Sequence, residues 1–137
     1  MVATPNIPEA EALTGRLIGD LDAMRAAARR LHDDTGIAVI VKGGHAHHAE
    51  IVDVLFDGHE LYEFRTERQQ TKNTHGTGCT FASAVACYLA LGFALPEAAG
   101  RAQEYVAGAI RHALAVGHGH GPLDHFWRMR PSAGAAP

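Results

Sequence analysis

The chain has 137 residues, a formal net charge of −3, 47% apolar residues and 20% charged residues. These values fit one soluble globular domain with a modest core, and they give no electrostatic case for nucleic acid or an anionic membrane as a partner. No apolar run reaches the roughly 18 residues of a membrane-spanning helix.

The amino-terminal stretch MVATPNIPEAE has neither a basic n-region nor an apolar h-region, so a secretory signal is not indicated and the cytoplasm is the expected compartment. Asn6-Ile7-Pro8-Glu9 predicts a short helix ending near Gly15, with Asn6 as N-cap, Pro8 in the first turn and Glu9 at N3. A second helix is expected from about Asp20 to Leu31, with Leu21, Met24, Ala28 and Leu31 on its apolar stripe. After the break Asp33-Asp34-Thr35-Gly36, the β-branched run Ile37–Val41 suits a strand buried on both faces of a parallel sheet. That strand leads into Lys42-Gly43-Gly44. A hairpin follows, Glu50–Phe56 and His59–Arg65, with Asp57-Gly58 as a two-residue turn. Residues 66–73 are polar and predict an exposed loop. The glycine loop opens a helix from about Cys79 to Leu91, stopped by Gly92. The next helix runs from Pro96 to about Val116, with Ala99, Gln103, Val106, Ile110 and Leu114 near one face. Trp127 is expected to pack against the body, and residues 131–137 predict a disordered tail.

This order is α/β: a small, mostly parallel sheet plus a hairpin, flanked by helices. One buried strand and a hairpin are little sheet for four helices. The chain therefore reads as part of a larger domain, or as one completed by a partner.

The stretch KNTHGTGCTF carries the most chemistry. Gly76 and Gly78 allow a sharp turn and close approach of a ligand to the main chain. The first amides of a helix have no partners inside it and carry the positive end of its dipole, so an anion such as phosphate fits there. Cys79, in that first turn, sits where the dipole favours a thiolate. The alternative is a glycine-rich turn ahead of a helix with a merely buried cysteine. Cys79 and Cys87 are eight residues apart, about 12 Å along one helix, too far for a disulfide. Lys42 leaves the carboxyl end of a buried strand, the usual ligand edge of an open α/β sheet, and competes with the reading of a solvated lysine. Asn6 and Glu9 read as a helix cap. Two histidine groups, His45, His47, His48 and His118, His120, His125, have the composition of a Zn2+, Ni2+ or Cu2+ site, but no Cys-x-x-Cys or His-Glu-x-x-His accompanies them, which favours solvated loops. His75 abuts the glycine loop and can help shape a phosphate pocket.

The segment THGTGCTFASAVACYLALG resembles the signature of the ribokinase-like kinases, and within them the hydroxymethylpyrimidine and phosphomethylpyrimidine kinases of thiamine biosynthesis. Many relatives carry aspartate where Cys79 stands, and the pyrimidine kinases carry cysteine. TPNIPEAEALTG at 4–15, VIVKGGH at 39–45, DVLFDG at 53–58 and GHGPLDHF at 118–125 agree with the family in order and span nearly the whole chain. The resemblance implies that residues 1–130 are the carboxyl-terminal half of such a kinase domain. It implies an anion hole from Gly76, Thr77, Gly78 and the Cys79 amide, with Cys79 as base for the substrate hydroxyl. It places Lys42, Gly43, Gly44 and His75 beside the ATP phosphates, and Asn6 and Glu9 near Mg2+, acting through water. The adenine contacts are open among the hairpin, the 66–73 loop and the helix after Pro96. The implied activity is ATP-dependent phosphorylation of a small-molecule pyrimidine and its monophosphate. The missing amino-terminal half, or a homo-oligomer, is the implied partner, and the chain alone is expected to be weakly active or inactive. Two alternatives remain: a pyridoxal-type kinase, and a non-catalytic nucleotide- or metal-binding remnant that assembles with a partner.

Overall fold

The computed structural model describes residues 1–44, 50–69, 75–113 and 121–129. The histidines at 45, 47, 48, 118 and 120, the carboxyl end of the expected last helix and the tail 131–137 lie outside them.

Four strands form one sheet in the order β1 (Val2–Ala3), β2 (Ala38–Val41), β3 (Glu50–Phe56), β4 (Leu61–Glu67). β1 pairs parallel with β2, while β2–β3 and β3–β4 are antiparallel. The expected mostly parallel sheet is therefore corrected to a mixed one. A buried β-branched run needs neighbours on both edges, but those neighbours can be a two-residue strand and one arm of a hairpin.

Helices cover both faces. α1 (Ile7–Thr14) and α2 (Leu21–Thr35) pack Ala10, Met24, Ala28 and Leu31 against Val39, Val41, Val54 and Phe56. α3 (Thr77–Ala90) and α4 (Leu95–Arg111) pack Phe81, Val85, Ala99, Ala102 and Val106 against Ile40 and Leu55. β2 thus sends alternate side chains into both layers, which is why its whole run is apolar. Burying each of Val39, Ile40 and Val41 contributes about 1.5–3 kcal/mol.

The helix ends follow local chemistry. The Asn6 side chain accepts the Glu9 amide at 2.8 Å and Glu9 accepts the Asn6 amide at 2.7 Å, a closed capping box. Asp20 caps α2 through the Ala23 amide, and Gly36 ends that helix later than the expected Leu31. The hairpin turn is longer than expected. Phe56 pairs with Leu61, so residues 57–60 form the loop, and the Asp57 carboxylate gathers the His59 and Glu60 amides. Trp127 packs as expected: its ring stacks on His112 at 5.2 Å and its indole N–H donates to the Tyr105 carbonyl.

Candidate functional site

A cavity of about 700 Å³ opens where the carboxyl end of β2 meets the start of α3. Its polar end is formed by Asn6, Lys42, Gly44 and the run His75–Cys79. Its apolar wall is Ile51, Phe81, Val106, Ala107 and Ile110, and residues 66–69, the last two of β4 and the two that follow, close one side.

α3 begins two residues earlier than expected, at Thr77, so Gly78 and Cys79 occupy the second and third helical positions. Gly76 is the N-cap, with φ 84°, a left-handed conformation that favours glycine, and no side chain caps the helix. The helix's own hydrogen bonding starts at Thr80, whose amide and hydroxyl both donate to the Gly76 carbonyl at 2.9 Å. The Gly78 and Cys79 amides lie ahead of that ladder. The Cys79 and Cys87 thiols are both free and exposed.

Lys42 reaches the same place from the sheet. Its amide donates to the Pro5 carbonyl at 2.8 Å, fixing the chain as it leaves β2. Its ammonium ends 3.2 Å from the point where a Cβ on Gly78 would stand. Glycine at 78 thus leaves room for a cation over the helix start. Two sources of positive potential, ammonium and helix dipole, converge on one end of the cavity. Gly43 is buried against β3, and a Cβ there would lie 2.0 Å from the Val52 carbonyl oxygen.

Of the residues singled out in the sequence, Asn6, Lys42, Gly44, His75, Gly76, Thr77, Gly78 and Cys79 line this one cavity. Gly43 lies behind it. Glu9 is exposed on α1, is not among the lining residues, and holds its carboxylate on the Asn6 amide. His125 is exposed, in a separate cleft beside Cys87 and Tyr88. Among the described residues, no group of three or more His, Cys, Asp or Glu is placed to hold a metal ion, and no helix is long and apolar enough to cross a membrane.

The sequence reading missed the floor. Asp53 on β3 is buried; it accepts the Gly43 amide at 2.8 Å and the Gln103 side-chain amide at 3.1 Å. Gln103, from α4, also donates to the Phe64 carbonyl at 3.0 Å. Burial pushes the Asp53 carboxyl up, and the Gly43 amide, Gln103 and the Lys42 charge pull it back in part. The available signal was a carboxylate between Ile51 and Leu55 on the core-facing side of a strand.

Residues 1–124 match the model of the family described as phosphomethylpyrimidine kinase. The chain is 55% identical over 125 residues to the thiamine biosynthesis bifunctional protein ThiED of Geobacter sulfurreducens, covering 91% of this chain and 26% of that protein. It is 48% identical over 129 residues to a hydroxymethylpyrimidine/phosphomethylpyrimidine kinase of Streptomyces coelicolor, covering 93% and 47%. Among solved structures it resembles the pyridoxal kinase of Staphylococcus aureus in complex with AMP-PCP, with TM-score 0.88, 37% identity and coverage of 94% and 48%. It also resembles the phosphomethylpyrimidine kinase of Clostridium difficile 630, with TM-score 0.66, 35% identity and coverage of 80% and 42%. The chain spans half or less of the length of these relatives.

Proposed function

Because the chain belongs to the phosphomethylpyrimidine kinase family, we propose that it supplies the nucleotide and phosphoryl-transfer side of a kinase. The reaction is ATP-dependent phosphorylation of hydroxymethylpyrimidine and of its monophosphate in thiamine biosynthesis. One observation carries this reading: the Lys42 ammonium lies over the glycine-capped start of α3, inside the cavity. Phosphoryl transfer requires positioning and charge neutralisation more than covalent help from the protein. The Gly78 and Cys79 amides and Lys42 are groups of that kind. Solved structures of the Staphylococcus aureus relative with AMP-PCP and with ADP support ATP as the donor.

In this reading the triphosphate lies along the polar end, and the base rests on the apolar wall of Val106, Ala107 and Ile110, with residues 66–69 at its edge. Cys79 is the base for the substrate hydroxyl. The second phosphorylation attacks from a phosphate oxygen and hardly needs a base, so Cys79→Ala slows the first step more than the second. Equal losses in the two steps count against the base role.

The donor set fits Mg2+ held mainly by the nucleotide. Asn6 supplies an amide oxygen at the cavity rim, and Glu9 uses only one carboxylate oxygen in the cap, leaving the other for a metal-bound water. Mg2+ would neutralise phosphate charge there.

Calorimetry of the chain with Mg-ATP and with Zn2+ tests the reading: Mg-ATP binding is expected, and Zn2+ binding without it favours a metal-binding remnant. Turnover is then measured with hydroxymethylpyrimidine and with pyridoxal. The pyridoxal kinase likeness makes pyridoxal the competing substrate. The chain alone is expected to turn over weakly, because it spans half or less of its relatives' length.

A further inference from the structure

An ionisable group facing the α3–α4 layer is expensive unless it is used. Asp53 stands on the same face of β3 as Leu55, whose neighbours are Ile40, Phe81 and Val106. Its two carboxylate oxygens take different partners: Oδ1 accepts the Gly43 amide and Oδ2 accepts Gln103. Gln103 is in turn fixed by the Phe64 carbonyl of β4. The Lys42–Gly43 link is therefore tied on both sides, by the Pro5 carbonyl to the Lys42 amide and by Asp53 to the next amide. The pressed contact of Gly43 on Val52 leaves that turn no slack.

The Lys42 side chain leaves this fixed turn and ends at the start of α3, where the helix dipole repels a cation. Asp53 is buried beside that turn, where burial raises its carboxyl and the Gly43 amide, Gln103 and the Lys42 charge lower it in part.

We propose that Asp53, held by Gln103, is a positioning residue for the phosphate end of the cavity: it fixes the Lys42–Gly43 turn from which the ammonium reaches the start of α3. The proposal rests on the nucleotide reading above and assigns it two further residues, from β3 and α4. Both line the cavity, and the role assigned to each is to act through Lys42.

Mg-ATP affinity is measured by calorimetry for the chain, for Lys42→Met, for Asp53→Asn and for the double variant, with a thermal melt of each. Lys42→Met is expected to weaken binding about tenfold or more, and Asp53→Asn about fivefold. Charge alone predicts the reverse for Asp53→Asn, since deleting a carboxylate beside an anion site tightens anion binding. The double variant is expected to bind within about twofold of Lys42→Met, because a residue that acts through Lys42 has nothing to position once it is gone. Asp53→Asn sets an amide NH2 against the Gly43 or Gln103 donor, so its melting temperature is expected to fall; the lack of further loss in the Lys42→Met background, which a merely structural defect does not predict, separates the two roles. Gln103→Leu removes one of the two donors without changing charge. It should give a smaller loss, again absent in the Lys42→Met background, and it decides the matter if Asp53→Asn does not fold. Unchanged or tighter binding in Asp53→Asn and Gln103→Leu, or losses that multiply with Lys42→Met, overturn the proposal alone. A parent chain that takes no Mg-ATP overturns the nucleotide reading along with it.

Discussion

The two helix starts at the rim of the cavity are built in opposite ways. α1 closes itself: Asn6 and Glu9 exchange side-chain and backbone hydrogen bonds, so its first amides are served from within. α3 is left open, with a glycine N-cap, no capping side chain and a lysine ammonium overhead. Stability favours the first design, and glycine at 76, at φ 84°, gives α3 no side chain that could supply it. An uncapped start beside a cation suits an exogenous anion, whereas at the capped one the Asn6 and Glu9 amides already have partners.

The strongest way to break the contrast is to move the β2 end itself. Gly43→Ala puts a Cβ 2.0 Å from a backbone oxygen. It is expected to cost about 2 kcal/mol or more in denaturant unfolding and to abolish Mg-ATP binding. Gly78→Ala is more discriminating. Alanine favours the helix by up to about 1 kcal/mol, yet its Cβ meets the Lys42 ammonium at 3.2 Å. Mg-ATP affinity should fall several-fold while the melting temperature holds or rises. A matching rise in both would mean that the open start serves no anion. At the closed start the order reverses: Asn6→Ala should cost about 1 kcal/mol of stability, read by thermal melting, with a smaller effect on binding than Gly78→Ala.

Much of this was legible along the chain, and for a common reason. The Asn6 box and the β2 run are set by neighbours within a few residues, and local pattern reports local bonds. The glycine loop was legible because Gly-x-Gly before an apolar run suits an uncapped helix start. What escaped notice depends on distance or on brevity. Asp53 meets Gln103 fifty residues later, so strand periodicity marks it as core-facing and says nothing of its partners. β1 has two residues, too few for any period to show. The hairpin turn lengthened because Asp57 captures two amides, a side-chain choice that the Asp-Gly pair does not reveal.

The smallest expected effect lies far from the cavity. Arg25 and Arg65 hold the Glu63 carboxyl below its usual range. A lowered carboxylate contributes stability above its unfolded value of about 4.3, and that contribution is lost as pH falls through the folded one. Unfolding of Glu63→Gln should therefore depend less on pH below about 4.3 than that of the parent. Asp53 has the opposite sign: its raised carboxyl favours the fold at low pH and loses that contribution as pH rises.

The most direct measurement is an amide NMR titration of the chain with Mg-AMP-PCP. If the start of α3 receives a phosphoryl oxygen, the Gly78 and Cys79 amides shift most, and the Glu9 amide, already bonded to Asn6, stays nearly fixed. Shifts centred elsewhere, with Gly78 and Cys79 unmoved, would contradict the account.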